Sequence, residues 1–396
     1  MRYLFSAFFS SLLLISACAQ ALKKEKKNNN KTAVKEIITG AESTSLYLPL
    51  LKGKNIAIVA NQTSTIGDTH LVDFLHKQSS IQVLKVFAPE HGFRGKADAG
   101  ETIKDGIDTK TGLPIISLYG KNKKPSPSQL ENIDIVVFDI QDVGARFYTY
   151  ISTLHYVMEA CAEANIPIIV LDRPNPNGHY VDGPLLDKKH KSFVGMHPVP
   201  VVYGMTIGEY GNMINGEKWL QNNINCDLTV IKLQNYNRNT PYSLPIKPSP
   251  NLPNDTAINL YPSLCFFEGT NVSAGRGTSK QFQIYGSPFL NKSEFSFTPK
   301  PNEGAKYPKH NGKICYGEDL SSTKKVAQIH LKWLINAYQQ TSDKTTFFNS
   351  FFTKLAGTTK LQEQIKNGFS EQEIKASWKE DLNKFKKIRD KYLLYK

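Results

Sequence analysis

From Asn55 onward, short runs of near-continuous apolar residues alternate with polar or amphipathic stretches. The runs are "NIAIVAN" (Asn55 to Asn61), "IQVLKVFAPEHG" (Ile81 to Gly92), "LPIISLYG" (Leu113 to Gly120), "IDIVVFDIQD" (Ile133 to Asp142), "IPIIVLDRPNP" (Ile166 to Pro176) and "CDLTVIKL" (Cys226 to Leu233). Ile/Val/Leu content without strict alternation marks strands buried on both faces, so the pattern predicts a parallel sheet with helices on either side. "TYISTLHYVMEACAEAN" (Thr149 to Asn165) carries apolar residues at helical spacing, Ile151, Leu154, Val157, Met158 and Cys161, and joins two runs as a crossover should. The expectation is an α/β fold: a doubly wound domain over 44–238, a proline-rich connection over 239–262 that acts as linker or cleft wall, and a smaller α/β domain over 263–396. In that second domain "VAQIHLKWLINAYQQ" reads as a helix, and a last helix begins near Ser370, which stands at capping-box spacing from Glu373.

Ahead of the first run the pattern changes. Arg2 followed by apolar residues from Tyr3 to Ile15, then Ser16-Ala17-Cys18, is the bacterial lipoprotein pattern, in which cleavage leaves Cys18 as a lipidated N-terminus. Residues 19–43, Lys- and Asn-rich, have little to bury and read as a disordered basic tether. The expected location is therefore the cell envelope, lipid-anchored and facing the periplasm. The net charge of +14 fits a basic surface attracted to anionic envelope polymers or headgroups, and no nucleic-acid reader motif accompanies it. The other four cysteines, Cys161, Cys226, Cys265 and Cys315, lack CxxC spacing and read as buried thiols with at most one bridge.

Chemistry concentrates where the runs end. In an open parallel sheet, ligands bind at the carboxyl edge. The residues found there are Asn61-Gln62-Thr63, Glu90-His91-Gly92-Phe93-Arg94, Tyr119-Gly120, Asp139-Ile140-Gln141-Asp142 and Asp172-Arg173-Pro174-Asn175. No GxGxxG follows the first run, no GxxxxGK[ST] occurs, and "SAGRGTS" (Ser273 to Ser279) is no phosphate loop, so no cofactor is expected. The histidines are scattered without ligand spacing and no GxSxG is present, so neither a metal nor a nucleophilic serine is expected. Carboxylates, arginines and the aromatic stretch "RFYTY" (Arg146 to Tyr150) remain, the equipment of a glycoside hydrolase acting on an anionic sugar.

"FAPEHGFRG", "FDIQDVGARFYTY", "LDRPNPNG", "DGPLL", "GMTIGE", "LYPSLCFFEGTNVSAGRGT" and "RDKYLLY", in this order over 46–396, resemble the exo-β-N-acetylmuramidase family of peptidoglycan hexosaminidases. The resemblance implies a Rossmann-like domain and a smaller C-terminal domain with the active site in the cleft between them. It also implies release of terminal, non-reducing β-1,4-linked N-acetylmuramic acid from peptidoglycan-derived muropeptides or disaccharides. Glu90 of the EHG motif is then the candidate acid, with His91 holding it and Asp142 placed to activate water. Substrate contacts are expected from Arg94, Gln141, Arg146, Tyr148, Arg173, Asn175, Asp182, Glu268 and Arg276, an arginine among them meeting the lactyl carboxylate. Retaining, inverting and substrate-assisted mechanisms stay open. So do two other readings of the cleft: a lipid-anchored glycan-binding protein without catalysis, and a metal-dependent envelope-glycan hydrolase.

Overall fold

A computed structural model of the protein describes residues 35–94 and 105–395. The signal segment, Cys18 and most of the expected tether lie outside these residues. The apolar runs become strands close to where the pattern puts them: β1 (Asn55–Ala60), β4 (Gln82–Ala88), β6 (Pro114–Ser117), β7 (Ile135–Asp139), β8 (Ile168–Leu171) and β9 (Leu228–Ile231). Two-residue strands β2 (Thr65–Ile66), β3 (Thr69–His70) and β5 (Gly106–Ile107) decorate them. The main sheet has the order β5-β6-β4-β1-β7-β8-β9, parallel throughout except for the antiparallel edge pair β5–β6. Setting the short β5 aside, chain order reverses beside β1, which makes the carboxyl ends of β1, β4 and β7 the switch-point crevice of a Rossmann-like sheet.

The sheet is covered on both faces. β1 and β7 alternate between two cores, Ala57, Val59, Val136 and Phe138 in one and Ile56, Ile58, Ile135 and Val137 in the other. That two-sided burial is why these strands read as unbroken apolar runs. The crossover helix Tyr150–Glu163 follows β7, and Ile207–Gly216, started by a Thr206/Glu209 capping box, precedes β9. Beyond residue 280 a small antiparallel sheet forms from β10 (Ile284–Ser287), β11 (Ser296–Phe297) and β12 (Cys315–Asp319), in the order β10-β12-β11. The final helix, Glu371–Arg389, opens with the expected Ser370/Glu373 capping box. Cys161, Cys226, Cys265 and Cys315 are buried free thiols.

Three segments depart from the pattern, each for a local reason. Ile38 to Ser43, assigned above to the tether, pack on the sheet: Ile38 exchanges backbone hydrogen bonds with Gln234, and Gly40 N donates to Asp172 O (2.9 Å). Gly40 sits so close that a Cβ there would lie 2.4 Å from Asp172 N. The proline-rich connection ends early, because Asn254 accepts a hydrogen bond from Ala257 N and starts the helix Asp255–Leu264. The helix expected from Val326 begins only at Lys332. The amides of Val326, Ile329, His330 and Leu331 are instead captured by Asn259, Asp182, Ser263 and Glu371 side chains, which hold that stretch out of a helix.

Candidate active site

The loop after β4 carries Glu90 and His91 to a cavity of about 250 Å³. Its backbone reverses tightly, with Gly92 N donating to Pro89 O at 3.0 Å and both His91 and Gly92 in the left-handed region, φ +69° and +76°. Glycine adopts that region freely, whereas a histidine there is uncommon and is held by its surroundings. Glu90 Oε2 accepts a hydrogen bond from the Thr149 hydroxyl (2.7 Å), and Thr149 immediately precedes the crossover helix. Tyr119, just past β6, borders the same cavity; burial, reinforced by the Glu90 carboxylate, raises its phenol above the ordinary range and keeps it a hydrogen-bond donor.

The facing wall comes from the C-terminal part of the chain. Glu268 lies on a 3₁₀ turn, Cys265–Gly269, that continues the helix Asp255–Leu264. Arg276 stands between Gly275 and Gly277, which have φ of +79° and +77°. A Cβ would lie 2.7 Å from Ile284 at the first and 2.6 Å from Pro308 at the second, so "AGRG" requires both glycines to bring the arginine to the cavity. Arg276 Nε donates to Glu268 Oε1 (3.0 Å), and its guanidinium lies 5.1 Å from the centre of the Phe282 ring. Burial works against both charges and is outweighed on each side. Arg276 and Lys309 hold the Glu268 carboxyl below its usual range, and Glu268 raises Arg276. Lys309 is itself fixed by the carbonyls of Phe267, Thr270 and Val272. Phe147, Tyr148 and Tyr261 line the cavity between the two walls. Two carboxylates, one kept ionised, within an aromatic lining suit acid–base chemistry on a sugar.

Of the residues singled out from sequence, Glu90, His91, Tyr148, Glu268 and Arg276 share this cavity, while the others do not line it and are engaged elsewhere. Asp142, expected to activate water, is buried; its Oδ2 accepts from Gly144 N (2.6 Å) and from the Tyr203 hydroxyl, and burial pushes its carboxyl up to about 6. Gln141 donates to the carbonyls of Asp142 and Pro174 (2.7 Å each). Arg146, fully buried, donates to four carbonyls, those of Pro184, Val199, Leu355 and Ala356, and is a strut between distant segments. Arg173 grips both oxygens of Asp139, at 2.6 and 2.8 Å, and Thr65 O. Arg94 is bound to Asp108 and Asp73, which fastens the end of the Glu90 loop. Asn175 donates to Met205 O and accepts from Asn177 N, and Asp182 accepts from Gly183 N and Ile329 N with Lys375 Nζ 3.3 Å away. Most of these polar side chains are thus engaged with one another or with backbone, and the Glu90 turn alone of those loops brings a carboxylate to the cavity.

A family model described as the N-terminal part of the exo-beta-N-acetylmuramidase NamZ matches residues 56–256, and its C-terminal counterpart matches 259–395. The chain belongs to the NamZ family. A curated relative, the peptidoglycan beta-N-acetylmuramidase NamZ of Bacillus subtilis (strain 168), is 40% identical over 381 residues, covering 88% of this chain and 89% of its own length. Two DUF1343 family proteins of Bacteroides fragilis NCTC 9343 with crystal structures are similar. One has 49% identity and a TM-score of 0.85, the other 28% and 0.76, each match covering 91% of this chain and 99% of the relative. The cavity of this NamZ-family chain takes walls from both matched segments, Glu90 and Tyr148 from the first and Glu268 and Arg276 from the second. The sequence reading missed Thr149 and Lys309 as cavity-side partners. Thr149 carries a signal, a hydroxyl directly before a helix that follows a strand end; Lys309 has none, since it reaches Glu268 from a loop some 40 residues away.

Proposed function

We propose that the chain is a glycoside hydrolase that removes terminal, non-reducing β-1,4-linked N-acetylmuramic acid from peptidoglycan fragments, with Glu90 as the general acid. The observation that carries this reading is the pairing, in one cavity, of Glu90 on a constrained turn with a guanidinium that is not saturated. Arg276 donates one hydrogen bond to Glu268, and among the described residues its two terminal nitrogens donate none. N-acetylmuramic acid differs from N-acetylglucosamine by a lactyl carboxylate, and a guanidinium that presents two parallel N–H groups is the natural partner for it. Glu268 keeps Arg276 in place and charged, while the Thr149 hydroxyl and Tyr119 steer the Glu90 carboxyl toward the glycosidic oxygen.

The test is product analysis. Incubation with a disaccharide bearing N-acetylmuramic acid at its non-reducing end should release free N-acetylmuramic acid, seen by mass spectrometry, and Glu90→Gln should slow that release at least about a hundredfold. Full activity of Glu90→Gln would refute the assignment. The same proposal puts the enzyme outside the cytoplasm on a lipid attached at Cys18, supported by the sequence from Arg2 to Cys18. Cys18→Ser should then move the protein from the membrane fraction to the soluble one.

A further inference from the structure

Lys309 stands behind the Glu268–Arg276 pair. It does not line the Glu90 cavity, as Glu268 and Arg276 do, but all three border an adjoining hollow of about 300 Å³. Its Nζ donates to the carbonyls of Phe267 (3.0 Å), Thr270 (2.5 Å) and Val272 (3.0 Å), which bracket Glu268 and follow the chain toward Arg276. Only an ammonium has three N–H donors, so the three carbonyls fix Lys309 in its charged form and leave it no donor for a ligand. Its neighbours brace the same loop: a Cβ on Gly277 would lie 2.6 Å from Pro308, and His310 Nε2 lies 2.6 Å from Asn271 O.

Glu268 and Arg276 alone form a neutral pair, which gives little reason to favour an acidic ligand over a neutral one. Among the described residues Lys309 is the second cation acting on Glu268, and with it the cluster carries one positive charge in excess. One carboxylate neutralises that excess. We infer that Lys309 is a positioning and specificity-determining residue: it pins the loop that carries Glu268 and Arg276, and its charge makes the pair select an acidic sugar over its neutral counterpart. The inference rests on the reading of Arg276 as the partner of the lactyl carboxylate. Lys309 acts through the pair and not by contact, which sets its effect at about tenfold, the scale of one charge felt without contact at a partly buried site.

The experiment compares kcat/KM on para-nitrophenyl β-N-acetylmuramide with kcat/KM on its lactyl methyl ester, which has nearly the same shape without the charge. Because both are read on the same enzyme, the fraction of folded protein divides out of the ratio. Lys309→Met should lower the acid-to-ester ratio about tenfold, mainly through KM for the acid, and Lys309→Arg should hold it within about twofold of wild type. Lys309→Gln keeps two N–H donors for the carbonyls while losing the charge, so it should behave like Lys309→Met, and it carries the test if the methionine variant fails to fold. Equal losses on acid and ester in the uncharged variants, or a ratio that stays at the wild-type value, would overturn the inference. Arg276→Met separates the two readings: a ratio that collapses there but not in the uncharged Lys309 variants counts against Lys309 alone, and a ratio unmoved there removes the lactyl contact and the inference with it.

Discussion

Asp139–Arg173 and Glu268–Arg276 are the same chemical pair in two settings. The first sits at the end of β7 with side chains 0% and 4% exposed, two hydrogen bonds between the partners and a third from Arg173 to Thr65 O. The second has side chains 26% and 22% exposed and one hydrogen bond, and the arginine lies over Phe282. A buried pair joined through both carboxylate oxygens can only hold structure, because a ligand would have to break it and leave a buried charge. An unsaturated pair at a cavity can hold structure and still receive a ligand. What separates strut from site is therefore whether the pair lies in the interior or borders a cavity, which residue type alone does not reveal.

The sharpest test of that contrast is removal of the buried charge. Asp139→Asn leaves Arg173 charged and underpaired in the interior and should cost about 3–5 kcal/mol of stability in denaturant unfolding. Glu268→Gln, at a side chain 26% exposed on the cavity, should cost less, about 1 kcal/mol. Equal losses would erase the distinction.

A second buried cluster extends the structural side. His197 stacks on Trp219 with ring centres 4.5 Å apart and bonds both the Tyr210 hydroxyl and His155 Nδ1. Burial lowers both histidines, His155 to about 4. With a folded value below the unfolded one, the neutral ring favours the native state above about 6.5, and that contribution is lost as pH falls through about 4. Stability followed from pH 7 to pH 4 should show this loss in wild type and a flatter acid limb in His155→Gln; parallel curves would contradict it.

On the open side, Arg276→Met should leave stability within about 1 kcal/mol while reducing the preference for muramides over glucosaminides about tenfold or more, the scale of a charged hydrogen bond. Paired kcat/KM values would show it, and an unchanged ratio would move the lactyl contact elsewhere. Arg94→Gln should matter least, about 0.5–1 kcal/mol of stability, since its ion pairs with Asp73 and Asp108 are one-third exposed on the arginine side and screened.

Much of this was legible beforehand. Apolar runs placed six strands to within a few residues because strands buried on both faces must be apolar throughout, and the Ser370/Glu373 spacing fixed the last helix. Glu90, Glu268 and Arg276 were reached through quoted motifs. The roles of Arg146, Arg173 and Asp142 were not legible, since their partners lie far apart in sequence, as the carbonyls of Leu355 and Ala356 do from the Arg146 guanidinium. The non-helical stretch from Val326 was hidden for the same reason: its amides are captured by Asn259, Asp182, Ser263 and Glu371.

The most direct measurement sets wild type and Glu90→Gln side by side on para-nitrophenyl β-N-acetylmuramide and on the matching β-N-acetylglucosaminide. The account predicts release from the muramide in preference to the glucosaminide by wild type and a loss of at least about a hundredfold in Glu90→Gln. Comparable rates on the two glycosides, or a Glu90→Gln enzyme as fast as wild type, would contradict it.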